Sequence, residues 1–294
     1  MKNLLFKGCA TAIATPFTET GVNFDEFGKL IDFQISEGID ALVVCGTTGE
    51  SATMTDTERK ETMKFAVDRV AKRVPVILGT GSNCTKNAIE LTKYAELIGA
   101  DGALVVTPFY NKTTQDGLIK HYEAIASSTT LPIIVYSVPS RTGVNVTPNT
   151  CLELSKIPSI VGIKEASGNL SQVAEIAALC GVNLHIYSGN DDQVLPTLSL
   201  GGKGVISVIS NIAPKKFTTM VHDFFNGDIE KATKVQLESI ELINALFIEV
   251  NPIPVKSALN MIGYNFGIPR LPLVELSNKN KLILENALKN YGLL

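Results

Sequence analysis

The 294-residue sequence predicts an α/β fold, a (β/α)8 TIM barrel followed by a C-terminal helical extension. Short apolar runs alternate with longer amphipathic stretches, and eight such runs follow one another, mostly about 25–35 residues apart. Eight strand–helix units in roughly 225 residues are typical of this barrel. An open doubly wound sheet is the alternative. That fold usually carries a G-x-G-x-x-G loop after its first strand, whereas the first run here ends in ATPFTETG.

The eight runs are rich in Val, Ile and Ala and end in Gly, Pro, Ser or Thr. They are apolar on both faces, as parallel strands covered by helices are. Strands are therefore predicted in GCATAIATPF, IDALVVCGTTG, VPVILGTGS, ADGALVVTPFY, LPIIVYSVPS, SIVGIKEAS, LHIYSGND and GKGVISVIS.

Capping residues mark several helix starts. Thr55 and Glu58 match the capping box, in which each side chain accepts from the other residue's backbone N–H. Thr147 precedes Pro148, which suits the first position of a helix. Three further pairs share the capping-box spacing and predict helix starts: Asn23 with Glu26, Thr113 with Asp116, and Asn169 with Gln172.

The strand pattern stops at about Gly227. We therefore predict a catalytic barrel over residues 1–226 and a C-terminal helical region over residues 227–294. Helical periodicity is found there in three segments: DIEKATKVQLESIELINALFIEV, NPIPVKSALNMIGYN and LVELSNKNKLILENALKNY.

Charge and hydropathy narrow the class of partner. The net charge is only −3 and no block of like charge stands out, so neither nucleic acid nor a membrane surface is an expected partner. A small molecule or another copy of the chain is expected instead. No run approaches the roughly 18 apolar residues of a membrane helix, and the N-terminal stretch, interrupted by Lys7 and Gly8, does not match a signal peptide. We predict a cytoplasmic protein.

The cysteines fit a reducing compartment. Their number is odd, they are far apart, and none forms a C-x-x-C pair. Cys45 lies beside a glycine-containing motif, so a reactive thiol is an alternative to a small core residue there. The five are Cys9, Cys45, Cys84, Cys151 and Cys180.

A lysine stands near the end of the sixth strand, in VGIKEAS. Alternation along a strand predicts that Val161 and Ile163 face the helices, while Ile160, Gly162 and Lys164 face the barrel interior. Gly162 would leave room for the lysine stem. Lys164 would then lie near the C-terminal end of the barrel, where the active sites of this fold are found. A lysine that caps the strand and extends into water is the alternative.

The neighbouring strand favours the functional interpretation. In PIIVYSVPSRTG, Ile134 and Tyr136 share one face, so Tyr136 would point inward beside Lys164, and Arg141 follows in the loop. A lysine attacks a ketone as the neutral amine, which burial favours. A tyrosine can carry protons, and a guanidinium can hold a substrate carboxylate. These residue types together predict Schiff-base chemistry on a keto acid.

Two more motifs add candidate residues. CGTTGES places Thr47 and Thr48 between glycines that allow close backbone approach to an anion, although a phosphate loop is the alternative reading. TPFYN places Tyr110 after the fourth strand. Asp191 and Asp192 could bind a cation, contact substrate or form loop structure. No metal-binding motif is present, so neither a metal nor an organic cofactor is expected.

Five motifs in order, CGTTGES, VTPFYN, YSVPSRTG, GIKEASGN and SGNDD, resemble those of the dihydrodipicolinate synthase family. This family belongs to the N-acetylneuraminate lyase superfamily of Schiff-base barrel enzymes. The resemblance covers nearly the whole chain, including NPIPVK in the helical region, although Ser137 stands where many members have asparagine. It implies condensation of pyruvate with L-aspartate-4-semialdehyde to 4-hydroxytetrahydrodipicolinate, a step of lysine and diaminopimelate biosynthesis.

The resemblance also implies roles for single residues. Lys164 would form the Schiff base, and Tyr136 and Thr48 would form a proton relay with Tyr110, which would come from a dimer partner. The implied assembly is a homotetramer of two tight dimers. The implied substrate contacts are Thr47 and Thr48 to the pyruvate carboxylate, Arg141 to the semialdehyde carboxylate, and Gly189 and Ile206 along the pocket.

Four positions depart from lysine-inhibited relatives. Such relatives tend to carry a glutamate where Asn87 stands, a tyrosine where Phe109 stands, and a histidine or another fitting residue at Asp56 or Arg59. A lysine ligand needs a carboxylate opposite its amine. We therefore predict an enzyme that is insensitive to lysine.

Two other functions remain open from the sequence. The first is another pyruvate-dependent class I aldolase of the superfamily, such as N-acetylneuraminate lyase or a 2-keto-3-deoxy sugar acid aldolase. Arg141 and the double threonine favour the synthase over these. The second is a non-catalytic barrel that senses a keto acid, which the full set of lysine, tyrosine and threonine disfavours.

Overall fold

A computed structural model describes residues 2–294 and confirms the predicted (β/α)8 barrel. Eight strands form a closed barrel in chain order. Each lies within one of the eight apolar runs, and almost all of their residues are buried. The strands are β1 (Gly8–Ala12), β2 (Ala41–Val44), β3 (Val76–Gly79), β4 (Gly102–Val106), β5 (Ile133–Ser137), β6 (Ile160–Glu165), β7 (His185–Ser188) and β8 (Gly204–Ser207).

Helices follow the strands, and three more fill the C-terminal region as predicted. Within residues 2–294 the α-helices are α1 (Phe24–Ser36), α2 (Asp56–Val70), α3 (Thr85–Leu97), α4 (Gln115–Ala126), α5 (Pro139–Thr142), α6 (Pro148–Ser155), α7 (Leu170–Cys180), α8 (Val194–Ser199), α9 (Pro214–Phe225), α10 (Ile229–Leu246), α11 (Ile253–Met261) and α12 (Asn278–Tyr291).

Most predicted helix starts are confirmed. Thr55 and Glu58 form the capping box at α2, and the side chains of Asn23, Thr147 and Asn169 cap α1, α6 and α7. At α4 the prediction was one residue early. Thr114, the next residue along, is the N-cap, and its hydroxyl accepts from the backbone N–H of Gly117.

The chain divides into two compact units. The lysine unit contains the residues up to Gly8 and Pro75–Ile206, and the threonine unit contains Cys9–Val74 and Ser207–Leu294. The threonine unit thus joins the first βα elements to the C-terminal helices. The domain boundary predicted between residues 226 and 227 stays a prediction.

In the lysine unit, β5 and β6 pack against the surrounding helices. Ile133, Val135 and Ile163 lie in one buried cluster with residues of α4, α6 and α7, which confirms the predicted helix-facing side of Ile163. Ile160 belongs to the same cluster, so its predicted inward orientation was wrong. The pairing of β5 with β6 shifts after Ile133, and Val161 is the extra residue of this bulge. A bulge reverses the alternation of faces on one side of it.

In the threonine unit, β1 pairs with β2 in parallel. Asn211 follows β8, and its side-chain amide donates to the carbonyl of Ala12 at 2.9 Å and accepts from the N–H of Ala14 at 2.9 Å. Gln34 of α1 donates to the carbonyl of Ser210 at 2.9 Å. Helix and strand ends in this unit are therefore joined by buried side-chain amides.

Among residues 2–294, no helix combines the length and apolar character needed to cross a membrane.

Candidate active site

Lys164 is a buried residue near the C-terminal end of β6. It is only 5% exposed, which excludes the alternative of a lysine that extends into water. Register places Tyr136 of β5 and Tyr187 of β7 directly beside it. The Nζ of Lys164 lies 4.4 Å from the centroid of the Tyr136 ring. The predicted pairing of lysine and tyrosine is therefore confirmed as a contact.

The two flanking tyrosines differ in their hydrogen bonding. The Tyr187 hydroxyl donates to the carbonyl of Phe6 at 2.8 Å, and its ring stacks on the ring of Phe6 at 4.4 Å between centroids. Burial raises the pKa of Tyr187, so its proton is firmly held. The Tyr187 hydroxyl is thus engaged with the N-terminal segment, and Tyr136 remains the candidate for proton transfer with Lys164.

A glycine provides room for the lysine stem, but it is not the one predicted. A Cβ on Gly162 would meet the carbonyl oxygen of His185 at 2.7 Å and the Tyr187 ring at 3.2 Å, and the lysine is not among its nearest neighbours. A Cβ on Gly189 would lie 3.2 Å from Cε of Lys164 and 2.6 Å from Cβ of Ala166. Gly189, which follows β7, therefore keeps the space beside Cε of Lys164 free.

Sequence reasoning missed a polar network behind the lysine. Glu165 is buried and accepts from Nε2 of Gln172 at 2.9 Å, while Asn145 donates to Gln172 at 2.6 Å. Burial raises the pKa of Glu165, and hydrogen bonds from Ser167 and Gln172 partly offset this. The network joins the strand of Lys164 to the segment that follows α5. An acidic residue next to a strand lysine was the available sequence signal.

The remaining candidates of the lysine unit lie in different environments. Ile206 is fully buried on β8. Arg141 lies in α5 and is exposed. Tyr110 is 91% exposed, in a left-handed backbone conformation with φ of 70°. Lys164, Tyr136 and Gly189 are thus in one cluster.

The threonine loop follows β2 in the threonine unit. Thr47 is half-buried, and its carbonyl accepts from the N–H of Glu50 at 3.1 Å. Thr48 is 2% exposed, and its hydroxyl oxygen accepts from Nδ2 of Asn251 at 3.0 Å. A Cβ on Gly49 would lie 3.3 Å from the backbone nitrogen of Cys45, so the turn is tightly packed.

A buried ion pair holds the end of this loop. Glu50 has a φ of 52°, which is unusual for a residue other than glycine. Its carboxylate accepts from Nζ of Lys256 at 2.7 Å and from the N–H of Arg270 at 3.0 Å. The side chains of Glu50 and Lys256 are both 0% exposed. The C-terminal helical region therefore supplies three polar contacts to the loop, from Asn251, Lys256 and Arg270.

Cys45 was predicted to be either a reactive thiol or a small core residue. Burial raises the pKa of Cys45 to about 12, and its thiol lies 3.8 Å from the carbonyl of Arg59, which favours the core-residue interpretation over the reactive thiol.

The two candidate cation ligands differ in burial, since Asp191 is buried and Asp192 is exposed. Among residues 2–294, no group of three or more metal-ligating side chains is placed to hold an ion. Asn87 and Asp56 are exposed, and Phe109 is 38% exposed.

Comparisons with known proteins identify the family of the chain. A model of the dihydrodipicolinate synthetase family matches residues 5–291. The 4-hydroxy-tetrahydrodipicolinate synthase of Thermoanaerobacter sp. is 57% identical over 291 residues, which cover 99% of this chain and 98% of that protein.

Solved structures of the same kind superpose closely. The dihydrodipicolinate synthase of Thermotoga maritima is 43% identical and has a TM-score of 0.97, covering 99% of this chain and 100% of that one. A monomeric dihydrodipicolinate synthase variant is 44% identical with a TM-score of 0.97, covering 99% and 98% respectively. The barrel, the buried lysine–tyrosine pair and full-length similarity lead to one conclusion: the chain belongs to the dihydrodipicolinate synthetase family.

Proposed function

We propose that Lys164 is the residue through which this chain binds pyruvate as a Schiff base. The overall activity follows from family membership and from 57% sequence identity to a 4-hydroxy-tetrahydrodipicolinate synthase over 99% of the chain. The chain is a lyase that synthesises 4-hydroxy-tetrahydrodipicolinate in lysine and diaminopimelate biosynthesis. The observation that carries the assignment of Lys164 is its burial at 5% exposure with Nζ 4.4 Å from the Tyr136 ring.

The chemistry starts at the lysine amine. Nζ of Lys164 adds to the C2 carbonyl of pyruvate, and loss of water gives an imine. Loss of a methyl proton gives an enamine, whose carbon attacks the aldehyde of aspartate-4-semialdehyde. The amino group of the semialdehyde then displaces Lys164 from C2 and closes the ring. Gly189 leaves the space beside Cε that these intermediates occupy.

Proton transfers accompany each of these steps. The Tyr136 ring contacts the amine, so its phenol is the proposed first proton carrier. Thr48 and Tyr110 complete the proposed relay, and Thr47 and Thr48 bind the pyruvate carboxylate. Arg141 binds the carboxylate of the semialdehyde, since its guanidinium offers two parallel donors. Ile206 forms an apolar wall of the proposed pocket, which its full burial on β8 supports.

A second copy of the chain is part of the proposal. Tyr110 is 91% exposed, although an aromatic side chain with a catalytic role is expected to be enclosed. A homotetramer of two tight dimers would cover it and bring it to the partner's site. A monomeric variant exists among the solved relatives, so sedimentation across a concentration series tests the assembly. A monomer with full activity would contradict the shared tyrosine.

Trapping with borohydride tests the Schiff base. Reduction in the presence of pyruvate should add a pyruvate-derived mass to the peptide that contains Lys164, and Lys164→Ala should abolish this adduct and most turnover. Lys156→Ala is the matched control, because Lys156 is exposed and pairs with Glu153. An adduct on another lysine, or none, would contradict the assignment.

The reaction as written needs no metal or organic cofactor. We therefore expect turnover to survive dialysis against a chelator, and loss of activity that returning a divalent cation restores would contradict this. The predicted cytoplasmic location stays a prediction.

A further inference from the structure

The loop that carries Arg141 is hydrogen-bonded to itself. It comprises residues 138–144 and contains α5. The backbone N–H groups of Arg141 and Thr142 donate to the carbonyl of Val138 at 2.9 and 3.1 Å. The Thr142 hydroxyl donates to the carbonyl of Val144 at 3.0 Å. Because these bonds close the loop into one compact unit, the position of Arg141 depends on how the two ends of the loop are anchored.

The two ends of this loop are joined to each other and to a helix. Ser137, the last residue of β5, precedes the loop, and Asn145 follows it. The N–H of Val146 donates to Oγ of Ser137 at 3.3 Å, and this hydroxyl donates to Oδ1 of Asn145 at 3.4 Å. Gln115 of α4 donates to the carbonyl of Asn145 at 2.8 Å. Asn145 is therefore the residue at which the loop is fixed to its surroundings.

Gln172 of α7 connects Asn145 to the strand of Lys164. Nδ2 of Asn145 donates to Oε1 of Gln172 at 2.6 Å, and Nε2 of Gln172 donates back to Oδ1 of Asn145 at 3.2 Å. The same Nε2 donates to the carboxylate of Glu165 at 2.9 Å. A glutamine amide has two N–H donors, so both are used, and its oxygen is occupied as well. Gln172 is thus a bridge between Asn145 and Glu165.

The Glu165 end of this bridge is firmly held. Glu165 is the last residue of β6, directly after Lys164, and is 2% exposed. Its carboxylate accepts from the N–H of Ser167 at 3.2 Å, and its carbonyl accepts from the N–H of Gly189 at 2.7 Å. A hydrogen bond to an ionised carboxylate is stronger than one between neutral groups. The bridge therefore relates the Arg141 loop to the strand end that carries the lysine.

We propose that Gln172 is a positioning residue that fixes the Arg141 loop relative to Lys164 and so sets the affinity for the second substrate, aspartate-4-semialdehyde. The inference rests on the proposed contact between Arg141 and the semialdehyde carboxylate. A guanidinium holds a carboxylate through two parallel donors, so a small displacement of its loop weakens the contact. Formation of the pyruvate Schiff base on Lys164 precedes this contact and should not depend on Gln172.

Two substitutions of Gln172 test the bridge. Gln172→Met keeps a side chain of similar length but removes the three hydrogen bonds. Gln172→Glu keeps the shape, loses both donors and places a second carboxylate beside Glu165. Each should raise the KM for aspartate-4-semialdehyde by about 10-fold, because hydrogen bonds that include a charged group are lost. The rate of borohydride trapping of pyruvate on Lys164 should match the wild type.

Two results would contradict the positioning role directly. One is a wild-type KM for aspartate-4-semialdehyde in both Gln172 variants. The other is trapping on Lys164 that slows by as large a factor as the KM rises, since this would show that the bridge serves the lysine itself and not the Arg141 loop.

Exchanging the two bridge residues provides a rescue. In Glu165→Gln combined with Gln172→Glu, the amide at position 165 can donate to the carboxylate at position 172, and Asn145 can still donate to that carboxylate. The bridge is then restored with its direction reversed. The KM for aspartate-4-semialdehyde should recover most of the loss seen in Gln172→Glu alone. A double variant whose KM is no lower than that of Gln172→Glu would overturn the proposal.

Gln236→Met is the matched control, because Gln236 of α10 is another buried glutamine, at 5% exposure. We expect its KM for aspartate-4-semialdehyde to match that of the wild type. Equal increases of this KM in Gln236→Met and Gln172→Met would indicate a general effect of removing a buried amide and would overturn the proposal.

Arg141→Ala separates this inference from the proposed function. If Gln172 acts through Arg141, adding Gln172→Met to Arg141→Ala should leave the KM for aspartate-4-semialdehyde at the value of Arg141→Ala alone. Increases that multiply would overturn the positioning role, as would a wild-type KM in the Gln172 variants beside a raised KM in Arg141→Ala. An Arg141→Ala enzyme with a wild-type KM would overturn the substrate contact of Arg141, and the positioning role with it.

Discussion

The buried pair of Lys256 and Glu50 should be among the most sensitive points of the threonine unit. Both side chains are 0% exposed, and Nζ lies 2.7 Å from the carboxylate and 4.3 Å from the centroid of the Phe17 ring. Lys256→Met keeps an apolar stem of similar length but removes the charge. Glu50 is then left as a buried anion with the N–H of Arg270 still donating to it.

The expected cost follows from this burial. Removing one partner of a buried ion pair costs about 3–5 kcal/mol, because the other charge remains desolvated. At about 2 °C per kcal/mol for a chain of this size, the melting temperature should fall by about 6–10 °C. Adding Glu50→Gln to Lys256→Met should restore most of the loss, since the amide is uncharged and its oxygen still accepts from Arg270.

Thermal unfolding of the single and double variants is the assay. Lys64→Met is the matched control, because Lys64 pairs with Asp68 at 2.7 Å on an exposed part of α2 and should change stability by less than about 1 kcal/mol. A melting temperature for Lys256→Met within 2 °C, or about 1 kcal/mol, of the control would refute the reasoning. So would a double variant less stable than Lys256→Met alone.

Three further predictions concern the site and its surroundings. Gly189→Ala should lower kcat and slow trapping at Lys164, because its Cβ would lie 3.2 Å from Cε; normal trapping kinetics would contradict this. Arg270 lowers the pKa of Glu58 from 4.5 to about 2, so this pair stabilises the fold above pH about 4.5 and the stability is lost as the pH falls toward 2. Unfolding midpoints of Glu58→Gln should therefore converge with the wild type at low pH and differ at neutral pH. With Asn87 in place of a carboxylate, millimolar lysine should leave the initial rate unchanged, and half-maximal inhibition below 1 mM, on the order of −4 kcal/mol of binding, would refute this.

The barrel itself could be predicted because its signals are local. Apolar runs identify the strands, capping residues identify the helix starts, and their alternation identifies the fold. Lys164 and Tyr136 could be paired once the strands were identified, because adjacent parallel strands bring their C-terminal ends together. The register confirms the two residues as direct neighbours.

Predictions that relied on unbroken alternation or on one strand alone were less successful. Ile160 faces the helices because a bulge at Val161 reverses the alternation, and nothing in the local residue pattern marks that bulge. Room for the lysine stem comes from Gly189 on the neighbouring strand, whereas Gly162 accommodates Tyr187. Both outcomes depend on how two strands pack.

The fold class, the strand that carries the lysine and the chemistry open to a buried lysine beside a tyrosine could all be inferred from the sequence alone. How the threonine loop is held became visible in the folded chain, because Thr48 and Asn251 are 203 positions apart and Glu50 and Lys256 are 206 apart. Periodic patterns report on residues a few positions away. A hydrogen bond between distant segments leaves no such pattern, since its partners meet only after both have packed into the same core.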